Sequence, residues 1–561
     1  MRKWMYVMLI GLGAITFIGC RNAASSFYVN FEVQEKEAQT TPFGRYPEEV
    51  VYTLGKMTGA NNSNMPKGDT YEDNAYTRYL KEKLNIQNEN VFEEGADYDN
   101  VVSMAITAED IPDVLVVSNM EQLQMLIEKD LIEDLSEVYD SCASETIKDI
   151  YKSYGEDILN NVTVDGKLMA LPETNIEDGP SLLWLRKDWM EQLGLSDPKT
   201  MEDVENIIGQ FIEKDPGHNG EGNTIGLVCD SNIVGEAGYN YEYQMDIVFA
   251  SCNAYPKQFI YGEDGELVYG SVQPEAKKAL RKLRSMCQAG TLDSKFLLRS
   301  TENIIDLIVS GKCGSFFGPW WAPNNPLIDA KRNNKNADWE PYLIETDKEG
   351  VTSYVSQNPS YKYVVVRKGY EHPEIVMKIV SVLFDYARFH DKDAEEISAY
   401  FKLNVDPTAR PLAINVDYAD AIKRCYRNLT NVLNGKKKAS TLERLEKSYY
   451  DACRDYVRGK EDSINENWAA YTSRIKALEV TEKGKTKQIK SMFFGETETM
   501  KQEWWKLERL EEETYLQIIT GEAPLKAFDE FSQKWKEQGG QVILEEVNKY
   551  LKEKCTNQDE E

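Results

Sequence analysis

Apolar and polar residues alternate along the chain with two different periods, which predicts an α/β fold. A β-branched run at 50–54 predicts the first strand. Tyr76, Tyr79, Leu80 and Leu84 are spaced as one face of a helix that Asp73 or Asn74 can cap. The apolar run at 111–117 predicts a buried strand, and a helical stripe follows at 119–127. This order of strand, helix, strand and helix is typical of α/β domains.

Further along, the same patterns mark a second set of elements. Strands are predicted at 168–172, 182–185 and 363–366. Thr200 and Asp203 form a capping-box-like start for a helix whose apolar stripe ends at Lys214. From about residue 410 onward the pattern is mainly helical.

The N-terminus has the pattern of a secretion signal. Arg2 and Lys3 precede an apolar run at 4–18 that is too short for a comfortable membrane span. Phe17-Ile18-Gly19-Cys20 resembles a lipobox, in which the cysteine receives a lipid and becomes the new N-terminus. The alternative is an ordinary secretory signal with an incidental cysteine. Residues 20–45 are polar and lack periodicity, so they predict a flexible tether.

An aromatic stretch at 311–323 carries the first candidate binding chemistry. It reads Gly-Lys-Cys-Gly-Ser-Phe-Phe-Gly-Pro-Trp-Trp-Ala-Pro, and its apolar part predicts a strand that Gly318 and Pro319 end. Trp320 and Trp321 follow at once and point in different directions, so one can pack inward while the other faces a cleft. An indole offers a broad apolar face and one N–H donor, which suits a sugar ring. The alternative is that both tryptophans belong to the core.

The loop at 215–226 is a candidate calcium loop. Counted as an EF-hand loop, it places Asp215, Asn219, Glu221 and Asn223 at positions 1, 5, 7 and 9, with glycine at position 6. Glu221 would offer its backbone carbonyl. Positions 3 and 12 are glycines, so one side-chain ligand and the usual bidentate glutamate are missing. The alternative is a Gly- and Asn-rich surface turn.

Composition removes several classes of function. The formal net charge of −29 argues against nucleic acid and anionic membrane surfaces as partners. Three separated histidines and nine cysteines without a CxxC motif argue against a zinc site. Zinc-protease, P-loop, dinucleotide and serine-hydrolase motifs are absent from the sequence. With 94 acidic residues, a pair of carboxylates is no evidence for a glycosidase.

Three segments together resemble extracellular solute-binding proteins (family 1) of carbohydrate ABC importers, in the branch of large oligosaccharide-binding lipoproteins. They are the Gly-Pro-Trp-Trp strand end, the Arg-Lys-Asp-Trp turn at 186–189 and the strand at 363–369. The resemblance implies a two-lobed periplasmic-binding-protein-like fold of type II, with a hinge and a helical C-terminal part. The implied organisation is a signal peptide at 1–19, the tether at 20–45, lobe 1 at 46–175 and 356–410, lobe 2 at 176–355, and a helical region at 411–561 packing on both lobes.

The resemblance also implies a function and its partners. A monomer held by lipid on the outer face of the cytoplasmic membrane would capture an oligosaccharide in a cleft between the lobes and deliver it to an ABC permease. Such a protein breaks no bond and requires no cofactor. Two other hypotheses stay open from the residues: a surface glycoside hydrolase or lyase, and a peptide-binding lipoprotein.

Six residues are candidates for binding the ligand. The two tryptophans of the aromatic stretch would stack on sugar rings, and polar groups near strand ends would orient hydroxyls. Trp184 is an aromatic candidate for which a core role is an equal alternative. The full set is Trp320, Trp321, Trp184, Arg186, Asp188 and Glu173.

The lipobox resemblance makes a direct prediction about Cys20. The variant Cys20→Ser should remain an uncleaved precursor without lipid, because the lipid is attached to the thiol. Mass spectrometry of the mature N-terminus measures this. An unmodified wild-type N-terminus at another residue would contradict the anchor.

Overall fold

The computed structural model describes residues 31–59, 64–155, 157–235, 242–262, 264–391, 394–403, 405–460 and 464–558. The predicted signal peptide and the lipidation site Cys20 lie outside these residues. Helices and strands alternate as expected for the α/β class. None of the helices within the described ranges is long and apolar enough to cross a membrane.

The strands are mostly short and buried. In chain order they are β1 (Val50–Met57), β2 (Ile86–Glu94), β3 (Val114–Val117), β4 (Thr163–Val164), β5 (Lys167–Leu168), β6 (Leu171–Pro172), β7 (Leu182–Arg186), β8 (Phe259–Tyr261), β9 (Leu267–Tyr269), β10 (Ser315–Gly318), β11 (Trp339–Tyr342), β12 (Val351–Val355), β13 (Tyr363–Val366) and β14 (Lys485–Ile489).

The helices fill the space between the strands and dominate the end of the chain. They are α1 (31–40), α2 (Ala75–Leu84), α3 (Tyr98–Ala108), α4 (Met120–Glu128), α5 (Ser136–Cys142), α6 (Glu145–Lys152), α7 (Asp157–Asn160), α8 (Lys187–Leu193), α9 (Met201–Lys214), α10 (Asp246–Ala250), α11 (Pro274–Ala289), α12 (Thr301–Val309), α13 (Ile328–Asn333), α14 (Ile375–Ser381), α15 (Glu395–Leu403), α16 (Ala421–Leu433), α17 (Arg444–Val457), α18 (Ile464–Tyr471), α19 (Leu478–Lys483), α20 (Glu498–Thr520), α21 (Ala527–Trp535) and α22 (Gln541–Gln558).

The chain divides into two compact units. Unit 1 comprises the described parts of residues 1–175, 359–419 and 443–445, and unit 2 comprises those of 176–358, 420–442 and 446–561. The helical region predicted at 411–561 is therefore divided between the two units, with most of it in unit 2.

Unit 1 is built on a five-stranded sheet with the order β2-β1-β3-β13-β6. β1 runs parallel to β2 and β3, while β13 runs antiparallel to β3 and β6. The helix predicted after the first strand is α2, and its N-cap is Asn74, whose side chain accepts from two backbone N–H groups of the first turn. The predicted strand at 168–172 is interrupted, because Leu168 pairs with Thr163 in a hairpin whereas Leu171 pairs with Val364 of the main sheet.

Part of the segment predicted as a tether is structured. Residues 31–40 form α1, and Ala38 is completely buried in the core of unit 1. The buried Lys378 of α14 donates to the carbonyl oxygens of Thr41 and Gly44 at 2.8 Å each. These contacts fix the chain onto α14, so the flexible part of the tether does not extend to residue 45.

Unit 2 contains the three-stranded antiparallel sheet β10-β7-β11, with β7 in the middle. The predicted helix α9 begins with a capping box between Thr200 and Asp203 and ends at Lys214. The C-terminal helices α20, α21 and α22 pack into the same core as α9 and α11. A separate cluster lies on the other face of β7, where Trp184 packs with Phe316 of β10 and Trp339 of β11.

One carboxyl group in the core formed by α9, α11 and α20 is almost completely removed from solvent. Glu511 of α20 is 2% exposed and accepts hydrogen bonds from Ser271 at 2.7 Å and Tyr269 at 3.1 Å. Burial raises the pKa of Glu511 from 4.5 to about 7. The folded protein therefore holds a proton here that the unfolded chain loses at lower pH.

This proton makes stability depend on pH. As pH rises from about 4.5 to 7, the contribution of Glu511 should fall by about 3 kcal/mol, because only the unfolded chain is already ionised in that window. Glu511→Gln removes this titrating group. Between pH 4.5 and 7, the free energy of unfolding of Glu511→Gln relative to wild type should therefore rise by about 3 kcal/mol, as measured by urea unfolding. The exposed Glu512 of the same helix gives the control Glu512→Gln. A pH-independent difference between Glu511→Gln and wild type would contradict the prediction.

Candidate functional site

Trp320 is an anchored core residue at the end of β10. Its side chain is 6% exposed, and its indole N–H donates to Asp178 Oδ1 at 2.8 Å. The guanidinium of Arg474 lies 4.4 Å from the centre of the Trp320 ring and 4.0 Å from that of Tyr449. Arg474 is thus held between two aromatic faces by cation–π contacts. Because one face of Trp320 is covered, this tryptophan does not offer a free stacking surface.

Asp178 connects this aromatic stack to the loop before β7. Burial raises the pKa of the Asp178 carboxyl, while the Trp320 N–H, the Gln357 side chain and the Arg474 charge oppose the rise. The arrangement fixes the Trp320 ring from its edge and from its face.

Trp321 has the more exposed indole of the pair. It is half-buried and packs only partly against the core that contains Trp320. Within the described residues it is therefore the better placed of the two to present an aromatic face to a ligand.

A small concave surface in unit 2 is lined by polar and aromatic side chains from separate parts of the sequence. Its lining includes Ser181, Asp246, Tyr255, Ser353 and Tyr354. The Tyr354 hydroxyl donates to Glu177 Oε1 at 2.5 Å, which fixes both groups. Burial raises the pKa of Asp246 to about 6. The buried Ser181 hydroxyl has no hydrogen-bond partner among the described residues.

Trp184 occupies the core, which is the second of the two roles that its sequence allows. It has no exposed surface, and its indole N–H donates to the Pro319 carbonyl at 3.1 Å. The bond ties the middle of β7 to the residue that ends β10. Trp184 therefore helps to hold the backbone just before the tryptophan pair, and it has no surface for a ligand.

Arg186 and Asp188 do not lie beside the tryptophan pair. They form a bidentate ion pair with distances of 2.8 and 2.6 Å, and Arg186 also packs over Trp189 at 4.7 Å. In the antiparallel register Leu182 pairs with Gly318, so Arg186 lies about 14 Å further along β7, at the opposite end of the strand. Because Arg186 and Asp188 neutralise each other, the pair has a structural role at this end of β7.

Glu173 belongs to unit 1. Its carboxylate accepts from the Asn415 backbone N–H at 3.2 Å and from Lys362 at 3.4 Å. Burial raises the pKa of Glu173, and Lys362 opposes the rise. These bonds connect the loop after β6 to the residue before β13 and to the segment that follows α15.

The residues predicted to bind calcium form a hydrogen-bonded turn after α9. Asp215 caps the helix with a left-handed backbone, and its carboxylate accepts from the backbone N–H groups of Asn219 and Gly220. The Asn223 side chain donates to the Asn219 carbonyl, and the Glu221 side chain is exposed. In the described part of the chain no group of three or more histidine, cysteine or acidic side chains is arranged to hold a metal ion.

Sequence reasoning missed the residues that position Trp320. Asp178 is 142 residues from Trp320 in the chain, and Arg474 comes from the helical end. Glu177 and Tyr354 likewise meet over a distance of 177 residues. No local pattern indicates such pairs; the only signal was the polar loop just before the strand at 182–185.

The geometry places a half-buried indole, Trp321, directly after the anchored Trp320, whose partners Asp178 and Arg474 are fixed. Residues 62–386 match the family model described as bacterial extracellular solute-binding protein. The chain belongs to this family, as the sequence resemblance predicted. Its members are binding proteins, and this corrects the glycoside hydrolase or lyase alternative.

Curated relatives agree with the family. The chain is 20% identical over 405 residues to the polygalacturonan/rhamnogalacturonan-binding protein YtcQ of Bacillus subtilis, covering 71% of this chain and 72% of YtcQ. It is 27% identical over 159 residues to Lipoprotein LipO of Bacillus subtilis, covering 28% of this chain and only 30% of LipO.

Solved structures show the same fold over most of the chain. The alginate-binding protein AlgQ2 without calcium ion matches with a TM-score of 0.59 at 13% identity, covering 90% of this chain and 98% of AlgQ2. An EF-hand mutant of the FusA substrate-binding protein of S. pneumoniae, in complex with fructo-nystose, matches with a TM-score of 0.57 at 15% identity, covering 90% of this chain and all of FusA at 100%. The predicted periplasmic-binding-protein-like fold is confirmed.

The anchored position of Trp320 predicts a stability role. Trp320→Ala should lower the free energy of unfolding by about 3–5 kcal/mol, because it empties a packed site and removes the indole that donates to Asp178 and packs on Arg474. Urea unfolding followed by circular dichroism measures the loss. Trp505→Ala is the control, since Trp505 is 60% exposed and should change stability by about 0.5 kcal/mol or less. Equal effects of the two variants would show that Trp320 is not anchored.

Proposed function

We propose that this protein captures an oligosaccharide outside the cell and delivers it to an ABC importer. Family membership supports capture of a solute. The names of YtcQ and FusA, both sugar-binding proteins, support an oligosaccharide as that solute. The proposal involves no catalysis and no cofactor.

The half-buried indole of Trp321 is the observation that carries the proposal. A sugar ring has an apolar C–H face and a rim of hydroxyl groups, so it binds where an aromatic face lies near hydrogen-bonding groups. Trp321 follows the fixed Trp320, whose N–H and ring face are both engaged. A rigid neighbour reduces the entropy that Trp321 loses when a ring stacks on it.

Glu177, which precedes the Asp178 that binds Trp320, supplies acceptors for hydroxyl groups in this proposal. Glu177 accepts one hydrogen bond from Tyr354, and a carboxylate has further lone pairs available. Bonds between hydroxyl groups and an ionised carboxylate are stronger than those between neutral groups. In this proposal Trp321 binds the ring and Glu177 orients it, while Trp320, Asp178 and Arg474 hold the site in shape.

We further propose that the protein is anchored by lipid at Cys20 on the outer face of the cytoplasmic membrane. The lipobox resemblance and the name of LipO support the anchor, and the family is extracellular. The soluble body would touch the membrane only through this anchor, act as a monomer and transfer its sugar to permease subunits.

A screen of oligosaccharides by thermal shift tests the function directly. A sugar that binds the folded state should raise the melting temperature in a concentration-dependent way. Binding should release no reducing ends. Stabilisation by peptides but not by any sugar would favour a peptide-binding lipoprotein instead.

The site makes a separate prediction for Trp321. Trp321→Ala should weaken binding of the sugar found in that screen by about 2 kcal/mol, or roughly thirtyfold, because the stacking surface is lost. Its stability should change much less than that of Trp320→Ala. Titration calorimetry measures the affinity, and Trp505→Ala serves as the matched control. Wild-type affinity in Trp321→Ala would place the site elsewhere.

A further inference from the structure

The turn at 215–226 departs from a calcium site at two positions that the fold itself constrains. Solved structures of similar fold are described with reference to calcium or an EF-hand, namely AlgQ2 and the FusA mutant. A loop of the EF-hand type needs an oxygen ligand at its third position and a bidentate glutamate at its twelfth. Here these positions are Gly217 and Gly226.

Gly226 lies where no side chain fits. It is buried, and a Cβ atom at this position would lie 2.4 Å from the Thr291 carbonyl oxygen. The next residue, Leu227, donates its backbone N–H to the same oxygen at 2.7 Å, so the two backbones are held together. A bidentate carboxylate at the twelfth position is excluded unless this backbone contact breaks.

Gly217 is restricted by the core of unit 2. A Cβ atom here would lie 2.6 Å from the six-membered ring of Trp189 and 2.7 Å from the Asn219 amide nitrogen. Trp189 is itself buried and packs edge-on against Phe211. The indole therefore occupies the space that a third-position ligand needs. Asp215 is left as the only side-chain carboxylate among the predicted ligands, since Glu221 would give its backbone carbonyl.

Hydrogen bonds within the turn close it around that carboxylate. Asp215 Oδ1 accepts from the Thr224 hydroxyl at 2.5 Å and the Asn219 N–H at 3.0 Å, and Oδ2 accepts from the Gly220 N–H at 2.8 Å. The Thr224 bond is the main cause of a lowered Asp215 pKa. The Asn219 amide then donates to Thr224 and to the Gly311 carbonyl, at 3.0 and 3.1 Å. The turn is thereby joined to the segment that leads into β10.

We propose that this turn is a metal-independent replacement for a calcium loop. The Thr224 hydroxyl and two backbone N–H groups satisfy the Asp215 carboxylate, and Asn219 carries the connection to Gly311 that holds the turn in place. At this turn the fold accordingly needs no divalent cation. This inference does not rest on the proposed function, because it concerns stability and not ligand capture.

Melting of the full chain with excess Ca²⁺ and with excess EGTA tests the proposal. Wild type should melt at the same temperature in both, and titration calorimetry with CaCl₂ should show no binding. Thr224→Val should lower the melting temperature by about 2 °C or more, equally in both conditions, because the buried hydroxyl bond is lost. Asp215→Asn keeps the left-handed cap but removes the charge. It should also lower the melting temperature equally with Ca²⁺ and with EGTA, as Thr224→Val should.

Glu221→Gln provides the control and should melt like wild type, because the Glu221 side chain is exposed. Stabilisation of wild type by Ca²⁺, or one equivalent of bound calcium by calorimetry, would overturn the proposal. So would a melting temperature unchanged in both Thr224→Val and Asp215→Asn, since the turn would then not depend on these bonds.

Discussion

The pairing of β10 with β7 is the constraint on which the candidate site depends. Gly318 stands opposite Leu182, so the chain leaves the sheet at Pro319, which has no N–H to continue the ladder. Trp184 holds this exit point by donating to the Pro319 carbonyl. Trp320 is then directed into the core, where Asp178 and Arg474 fix it. Trp320 occupies the buried position after the strand, and the next residue, Trp321, stays half-buried.

An acidic chain must still satisfy the carboxylates that it buries, and the two units do so with different donors. Glu173 of unit 1 is paired with a lysine and a backbone N–H, whereas Glu511 of unit 2 receives only hydroxyl groups. The first arrangement tolerates the ionised form, because a cation offsets part of the cost of burial. The second favours the protonated form. The Glu511 carboxyl is therefore one source of pH sensitivity in the core of unit 2.

The sequence predicts those helices, strands and caps that depend on residues close together in the chain. Strand β1, helix α2 with its Asn74 cap and helix α9 with its capping box follow from local spacing and from groups within one turn. The roles of Trp184, Arg186 and Asp188 do not, because they depend on the register of β7 with β10. The same holds for residues 31–40, whose polar pattern hides a helix; the chain just after it, at Thr41 and Gly44, is fixed by Lys378 of α14, more than 300 residues away.

The difference between the aromatic site and the turn at 215–226 shows which properties a family resemblance carries. The position of the Gly-Pro-Trp-Trp strand end depends on backbone geometry, because the pairing of Gly318 with Leu182 sets where the chain leaves the sheet. A calcium loop works through the number and charge of its ligands, which single substitutions change. In this chain Trp189 fills one ligand position and a backbone contact with Thr291 fills another. With glycine at those two positions, the Thr224 hydroxyl and two backbone N–H groups are what satisfies the Asp215 carboxylate in this turn.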